Sequence, residues 1–169
     1  LHPEGEALYK LAAVIALSTA LTTAAAEDEL VDISDTYMGI VEGECTAVNS
    51  ANVIIVKDLG EVALIGVRES SPGDDCYYDA MKLLKSRVLN QKVKIEVCPN
   101  MPMNEKEQVR AVVYYSDGDT WLNVAIELIE EGLARVALVP SCHVDTKAYL
   151  EYEKKAKKAR RGIWEDWQE

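Results

Sequence analysis

The 169-residue sequence has no phenylalanine, so its aromatic content rests on eight tyrosines and three tryptophans. It has only two histidines, His2 and His143, too few and too scattered to complete a zinc site. Its four cysteines, Cys45, Cys76, Cys98 and Cys142, include no C-x-x-C pair, so the close ligand spacing of a structural zinc site is also missing, and no metal is expected. Cations are scarce as well: 18 Lys and Arg stand against 29 Asp and Glu, for a net charge of -11. Proteins that hold nucleic acid by its phosphates gain affinity from Lys and Arg, so the composition disfavours tight nucleic-acid binding outside a local basic face. Internal repeats and linkers are absent. What remains, 49% hydrophobic residues in a chain of this length, suits one globular domain and excludes disorder and collagen-like structure.

The longest uncharged run is at the N-terminus. Residues 11–26 carry no charge, and Ala24-Ala25-Ala26 supplies a small-residue cleavage pattern. The run is about the length of a signal-peptide core and short of a comfortable bilayer span. Residues 1–26 are therefore expected to be a leader, although Glu4 and Glu6 depart from a basic start, and the protein is expected to be secreted, with no membrane association once the leader is removed. An acidic extension follows over 27–35. Four cysteines in an exported domain predict two disulfides, for which three pairings are open.

The pattern after that is β-rich. Residues 37–41, 46–48, 53–56 and 62–67 read as short strands, with Lys57-Asp58-Leu59-Gly60 joining the last two as a hairpin. Ser70-Ser71-Pro72-Gly73-Asp74-Asp75 is a turn cluster whose acids suit the start of a helix. Tyr77, Met81, Leu84 and Val88 then recur at helical spacing, Val93, Ile95 and Val97 alternate with polar residues as a strand, and residues 109–115 supply another strand. Leu122, Ile126, Ile129 and Leu133 mark a second helix with Gly132 near its end, and a third starts near Asp145, with Tyr149, Tyr152, Ala156, Ala159 and Ile163 on one face. Early strands without helices between them exclude a doubly wound sheet. Five short strands suit a small closed barrel with helices packed at its ends, an α+β architecture.

Four segments in this order resemble the staphylococcal nuclease (thermonuclease-like) family and the nuclease-like modules of the Tudor-nuclease proteins. They are Val62-Ala-Leu-Ile-Gly-Val67, Asp117-Gly-Asp-Thr-Trp-Leu-Asn123, Glu130-Glu-Gly-Leu-Ala-Arg-Val136 and Ala156-Lys-Lys-Ala-Arg-Arg-Gly-Ile-Trp164. The likeness spans residues 36–164, with 165–169 as a polar tail, and implies an OB-fold: a five-stranded barrel plus three α-helices. It also implies calcium-dependent phosphodiester cleavage, in which carboxylates hold the metal, a Glu lies beside the attacking water and two arginines clamp the phosphate.

The same likeness places other residues at those positions. Ala51 stands where the first calcium-binding Asp belongs, Arg68 at the second, Ser71 at the Glu and Ala63 at the first clamp. Calcium takes hard oxygen ligands, which neither alanine nor a cation supplies. Arg110 is the possible surviving clamp, but alignment on Asp117-Gly118 moves it by one residue, which in a strand means the opposite face. These substitutions imply a non-catalytic domain, a monomer without cofactor, that binds a protein, a glycan or a small anion. The alternative is a calcium-dependent nuclease with a rearranged site built from Glu42, Glu44 and Glu69.

Further candidates for binding lie on the third helix, where Lys147, Lys154, Lys155, Lys157, Lys158, Arg160 and Arg161 surround the apolar stripe. A solvated face is the favoured explanation, since Glu151 and Glu153 precede Lys155 and Lys157 by one helical turn. Trp121 and Trp164 are expected to pack in the core or line it, and Trp167 to be partly exposed. Of Tyr77 and Tyr78, near the family's cleft, one is expected to pack and the other to line the cleft.

Overall fold

The computed structural model describes residues 39–168. The expected leader, the acidic extension and positions 37 and 38 of the first expected strand lie outside the described residues. In order, the chain forms β1 (Ile40–Ser50), β2 (Val53–Val56), β3 (Gly60–Leu64), β4 (Gly66–Glu69), α1 (Asp75–Val88), β5 (Lys92–Val97) and β6 (Val109–Ser116). It continues with β7 (Trp121–Asn123), α2 (Val124–Glu130), β8 (Ala134–Ala137), α3 (Thr146–Ala159) and a single 3-10 turn, Gly162–Trp164.

Five strands close into a barrel. β1 pairs with β2 and β5, β2 with β3, and β5 with β6, all antiparallel, and a parallel pairing of β3 with β6 completes the ring. Closure depends on β1, which is one long strand and not the two short ones that the sequence predicts. Register shifts between Cys45 and Ala47 and between Val48 and Ser50 bend it, so its first half runs along β5 and its second half along β2. Bulges of this kind are how a sheet acquires the curvature that a small barrel needs. The interior is aliphatic: Ile54, Val56, Val62, Val93, Ile95 and Val113 are buried, and Leu84 and Val88 of α1, Leu128 and Ile129 of α2 and Tyr149 of α3 pack against them.

The run 62–67 is divided at Gly66, where the backbone takes a φ of +83°. Val62 to Leu64 stay in the barrel, while β4 leaves it to pair with β8. The sequence pattern ends the second helix near Gly132 and Leu133 and predicts no strand after it. In fact α2 ends at Glu130, Gly132 turns the chain with a φ of +68°, and Ala134–Ala137 is a strand. Leu122 likewise precedes the helix: Trp121–Asn123 pairs with β6, and the Asn123 side chain caps α2 by accepting from the Ala125 N–H at 2.9 Å. The third helix starts after Asp145, as its pattern predicts, but stops at Ala159, because Arg160 is left-handed with a φ of +51°. Ile163 therefore lies beyond the helix.

One disulfide forms, not two. Cys98 and Cys142, 44 residues apart, are bridged, joining the end of β5 to the loop after β8. Cys45 and Cys76 are free thiols, the first sealed in the barrel with its thiol on the Ala47 carbonyl and the second in the first turn of α1. Burial pushes both thiols up from their ordinary pKa.

A polar tie crosses three elements. The Tyr115 hydroxyl of β6 donates to Glu127 of α2 at 2.6 Å, and Arg87 of α1 donates to the same carboxylate through Nε at 2.9 Å and Nη2 at 2.6 Å. Burial, and then this bond, pushes the Tyr115 phenol up to about 12 from an ordinary 10.0. The folded state holds its proton more tightly, so this stabilisation is complete below pH ~10 and is lost as pH rises towards ~12. Urea unfolding from pH 9 to 12 is expected to show that decline, and Tyr115→Phe to make it shallower, the remainder coming from Tyr114 and Tyr149, whose phenols burial also pushes up. An equally steep decline in the variant would contradict the assignment.

Candidate functional site

A polar cleft opens on the outer wall of the barrel, where the β1–β2 turn, β3, the end of β4, the β5–β6 loop and β6 meet. Asn52, Glu61, Ala63, Glu69, Gln108 and Arg110 are among its walls. The face of Arg110 follows from the strand. Val109, Ala111, Val113 and Tyr115 point into the core, so Arg110 points outward. The parallel register sets it opposite Ala63, whose neighbours Val62 and Leu64 are also core residues. Arg110 therefore faces the cleft, and the one-residue shift anticipated from Asp117-Gly118 does not carry it away. Its guanidinium reaches the Met101 sulfur at 3.7 Å and is in no ion pair among the described residues.

Beside it, two residues earlier on the same face of β3 and just ahead of β6, runs a chain of amides on one carboxylate. Asn49 donates to Glu61 Oε1 at 2.5 Å, Gln108 to Glu61 Oε2 at 2.7 Å, and Asn104 to Gln108 at 2.8 Å. Asn104 also accepts from the backbone N–H groups of Lys106 and Gln108 at 2.9 and 3.0 Å, which fixes the loop. Glu69 stands at the edge of the cleft, with one carboxylate oxygen buried and without a hydrogen-bond partner. The sequence reading missed Glu61, Asn104 and Gln108. Glu61 was within reach, being two residues before Ala63 and so on the same strand face.

The remaining candidates are dispersed. Ala51 is buried in the barrel core, 1% exposed. Arg68 lies on β4 directly opposite Arg135 of β8, and both border a second, smaller depression with Ser70 and Ser71. Glu69 is shared between the two depressions. Glu42 is exposed on β1 and engaged by Lys92, whose hydrogen bond holds its carboxyl below the ordinary range, while Glu44 is exposed two residue pairs further along. Glu42, Glu44 and Glu69 are not brought together, and among the described residues no group of three His, Cys, Asp or Glu is placed to hold a metal ion.

On α3, Lys157 pairs with Glu153 at 2.8 Å and lies 4.4 Å from the Trp164 ring. Lys147 reaches Glu151 at 4.0 Å, Lys155 covers the Tyr152 ring, and Arg161 binds the Glu130 carbonyl at 3.0 Å. Lys154, Lys158 and Arg160 are exposed, with no ion pair among the described residues. Trp164 is buried and meets the exposed Trp167 edge to face at 5.3 Å. Trp121, expected to pack in or line the core, instead lies at the surface on the edge strand β7, with the Lys94 ammonium 4.3 Å above its ring. Tyr77 packs half-buried against the core, whereas Tyr78 is exposed, and neither lines the cleft.

A closed barrel of five mixed strands with three helices is the architecture that the resemblance implies. The family model described as staphylococcal nuclease homologue matches residues 66–166. The chain belongs to the staphylococcal nuclease family. No curated protein matches the chain. Within the staphylococcal nuclease match lie Arg68, Ser71, Arg110 and Arg135, whereas Ala51, Glu61 and Ala63 precede it.

Proposed function

We propose that this staphylococcal nuclease domain is a secreted, non-catalytic binding module. The observation that carries the reading is Arg68. It occupies the position that the family resemblance gives to a calcium-binding Asp, and its neighbour across the strands is a second arginine, Arg135. Two guanidinium groups repel a divalent cation where the family's chemistry requires it, so the donor set does not fit calcium. Ala51 adds to this, because its place in the core leaves no carboxylate to turn outward. Of the two clamp positions only Arg110 keeps an arginine, beside Ala63 on the cleft wall, and Lys106 of the β5–β6 loop is a second cation lining the same cleft. Removing a single preorganised donor typically costs ~10²–10³ in rate, and here metal ligand, Glu and clamp are all replaced.

Export is supported by the Cys98–Cys142 bridge, since such bonds persist in oxidising compartments, and by the leader-like residues 11–26. Among the described residues no helix is long and apolar enough to cross a membrane. The amide, carboxylate and Arg110 groups of the cleft suit a ligand held by hydrogen bonds. The rearranged nuclease remains a second reading because the unpartnered Glu69 oxygen and Arg110 share that cleft. Calorimetric titration with calcium separates the two. No saturable binding is expected, and stoichiometric binding that disappears in Glu69→Ala would overturn the proposal.

A further inference from the structure

We infer that Arg68 and Arg135 form a receptor for a phosphate monoester, outside the cleft that contains Arg110. This rests on the non-catalytic reading and names a ligand group for it. The two side chains are direct cross-strand partners in the β4–β8 ladder, where like charges are about 5 Å apart at Cβ and destabilise the pairing. Neither is relieved by an ion pair among the described residues. Arg135 is instead held in place by the face of Trp164, 5.0 Å from its guanidinium carbon.

The surroundings complete a site. Ser70 and Ser71 follow β4 into the same depression, and Ile163 forms an apolar wall. Two acids also border it. Asp74 is occupied in capping α1, accepting from the Cys76 N–H at 2.9 Å, and Glu69 alternates with Arg68 along β4 and reaches the other cleft. Guanidinium forks match phosphate oxygens in geometry as well as charge. Two guanidinium forks, neither in an ion pair among the described residues, attract the dianion of a monoester more strongly than the diester linkage of nucleic acid or a carboxylate, which each carry one charge.

Titration of the full chain with methyl phosphate, dimethyl phosphate and inorganic phosphate at constant ionic strength tests this. Methyl phosphate and inorganic phosphate are expected to bind, dimethyl phosphate at least tenfold more weakly. Arg68→Gln and Arg135→Gln are each expected to weaken methyl phosphate binding at least tenfold, while Lys57→Gln, an equal charge loss on the exposed β2–β3 hairpin, leaves it unchanged. Without phosphate at low salt, Arg68→Gln is expected to melt above the parent protein, because the repulsion is gone, and phosphate is expected to raise the parent's Tm and not the variant's. Absence of methyl phosphate binding, or equal binding by parent and Arg68→Gln, would overturn the inference. Calcium binding alongside Arg68-dependent phosphate binding would overturn the non-catalytic reading alone.

Discussion

Replacing Cys98 and Cys142 by serine lowers the unfolding free energy by about 4 kcal/mol. The bridge closes a loop of 44 residues, and chain-entropy loss in the unfolded state for a loop of that length is of this order. Local packing adds a reason to expect the full effect. The two sulfurs belong to a small cluster with Ile65 and Val112, apart from the barrel interior, and the half-buried Tyr114, Val139 and Val144 pack on it. The connection from β8 to α3 has no regular structure for most of its length, so the bridge is its main anchor. For a domain of this size a loss of that magnitude lowers Tm by roughly 15 °C. Calorimetry of the parent with and without reductant, beside the double serine variant, measures it, and a change below about 1 kcal/mol would contradict the account. Alkylation of the unreduced, unfolded chain is expected to label Cys45 and Cys76 alone.

A comparably large loss is expected from Gly66→Ala, and a matched site shows why. Gly60 and Gly66 have nearly the same left-handed backbone, φ of +84° and +83°. A side chain in that conformation costs about 1–2 kcal/mol at either position. They differ in what a Cβ would meet. Around Gly60 there is open space, whereas at Gly66 it would lie 2.3 Å from Cε1 of Tyr149. Tyr149 is fully buried and cannot swing aside, since its hydroxyl accepts from the Asn123 side chain at 3.0 Å. Overpacking adds about 1–3 kcal/mol, so Gly66→Ala is expected to lose roughly twice what Gly60→Ala loses. Equal losses measured by urea unfolding would show that Tyr149 does not hold this bend. The bend also aims β4, two residues before Arg68, so the same variant is expected to weaken phosphate binding.

Short-range patterns were legible and long-range pairings were not. Val93, Ile95 and Val97 alternate into a half-buried strand, and the first and third helices follow from spacings on a single face. β1 was read as two strands because its bulges interrupt the period of two. β8 was missed because its residues closely follow a helix and its partners on β4 lie 65 to 71 residues earlier. Arg135 was missed with it. The orientation of Arg110 depends on a parallel pairing of β3 with β6 that no local pattern encodes. Four cysteines similarly leave pairing open, and burial of Cys45 in the barrel decides against a second bridge. Ala51, Ala63, Arg68 and Ser71 were legible only through likeness to the family, because a residue that replaces a ligand has no pattern of its own.

Incubating single-stranded and duplex DNA with a molar excess of the protein, in calcium and in chelator, tests the central claim most directly. The account predicts no calcium-dependent cleavage. Calcium-dependent phosphodiester cleavage that disappears in Glu44→Ala and Glu69→Ala would contradict it.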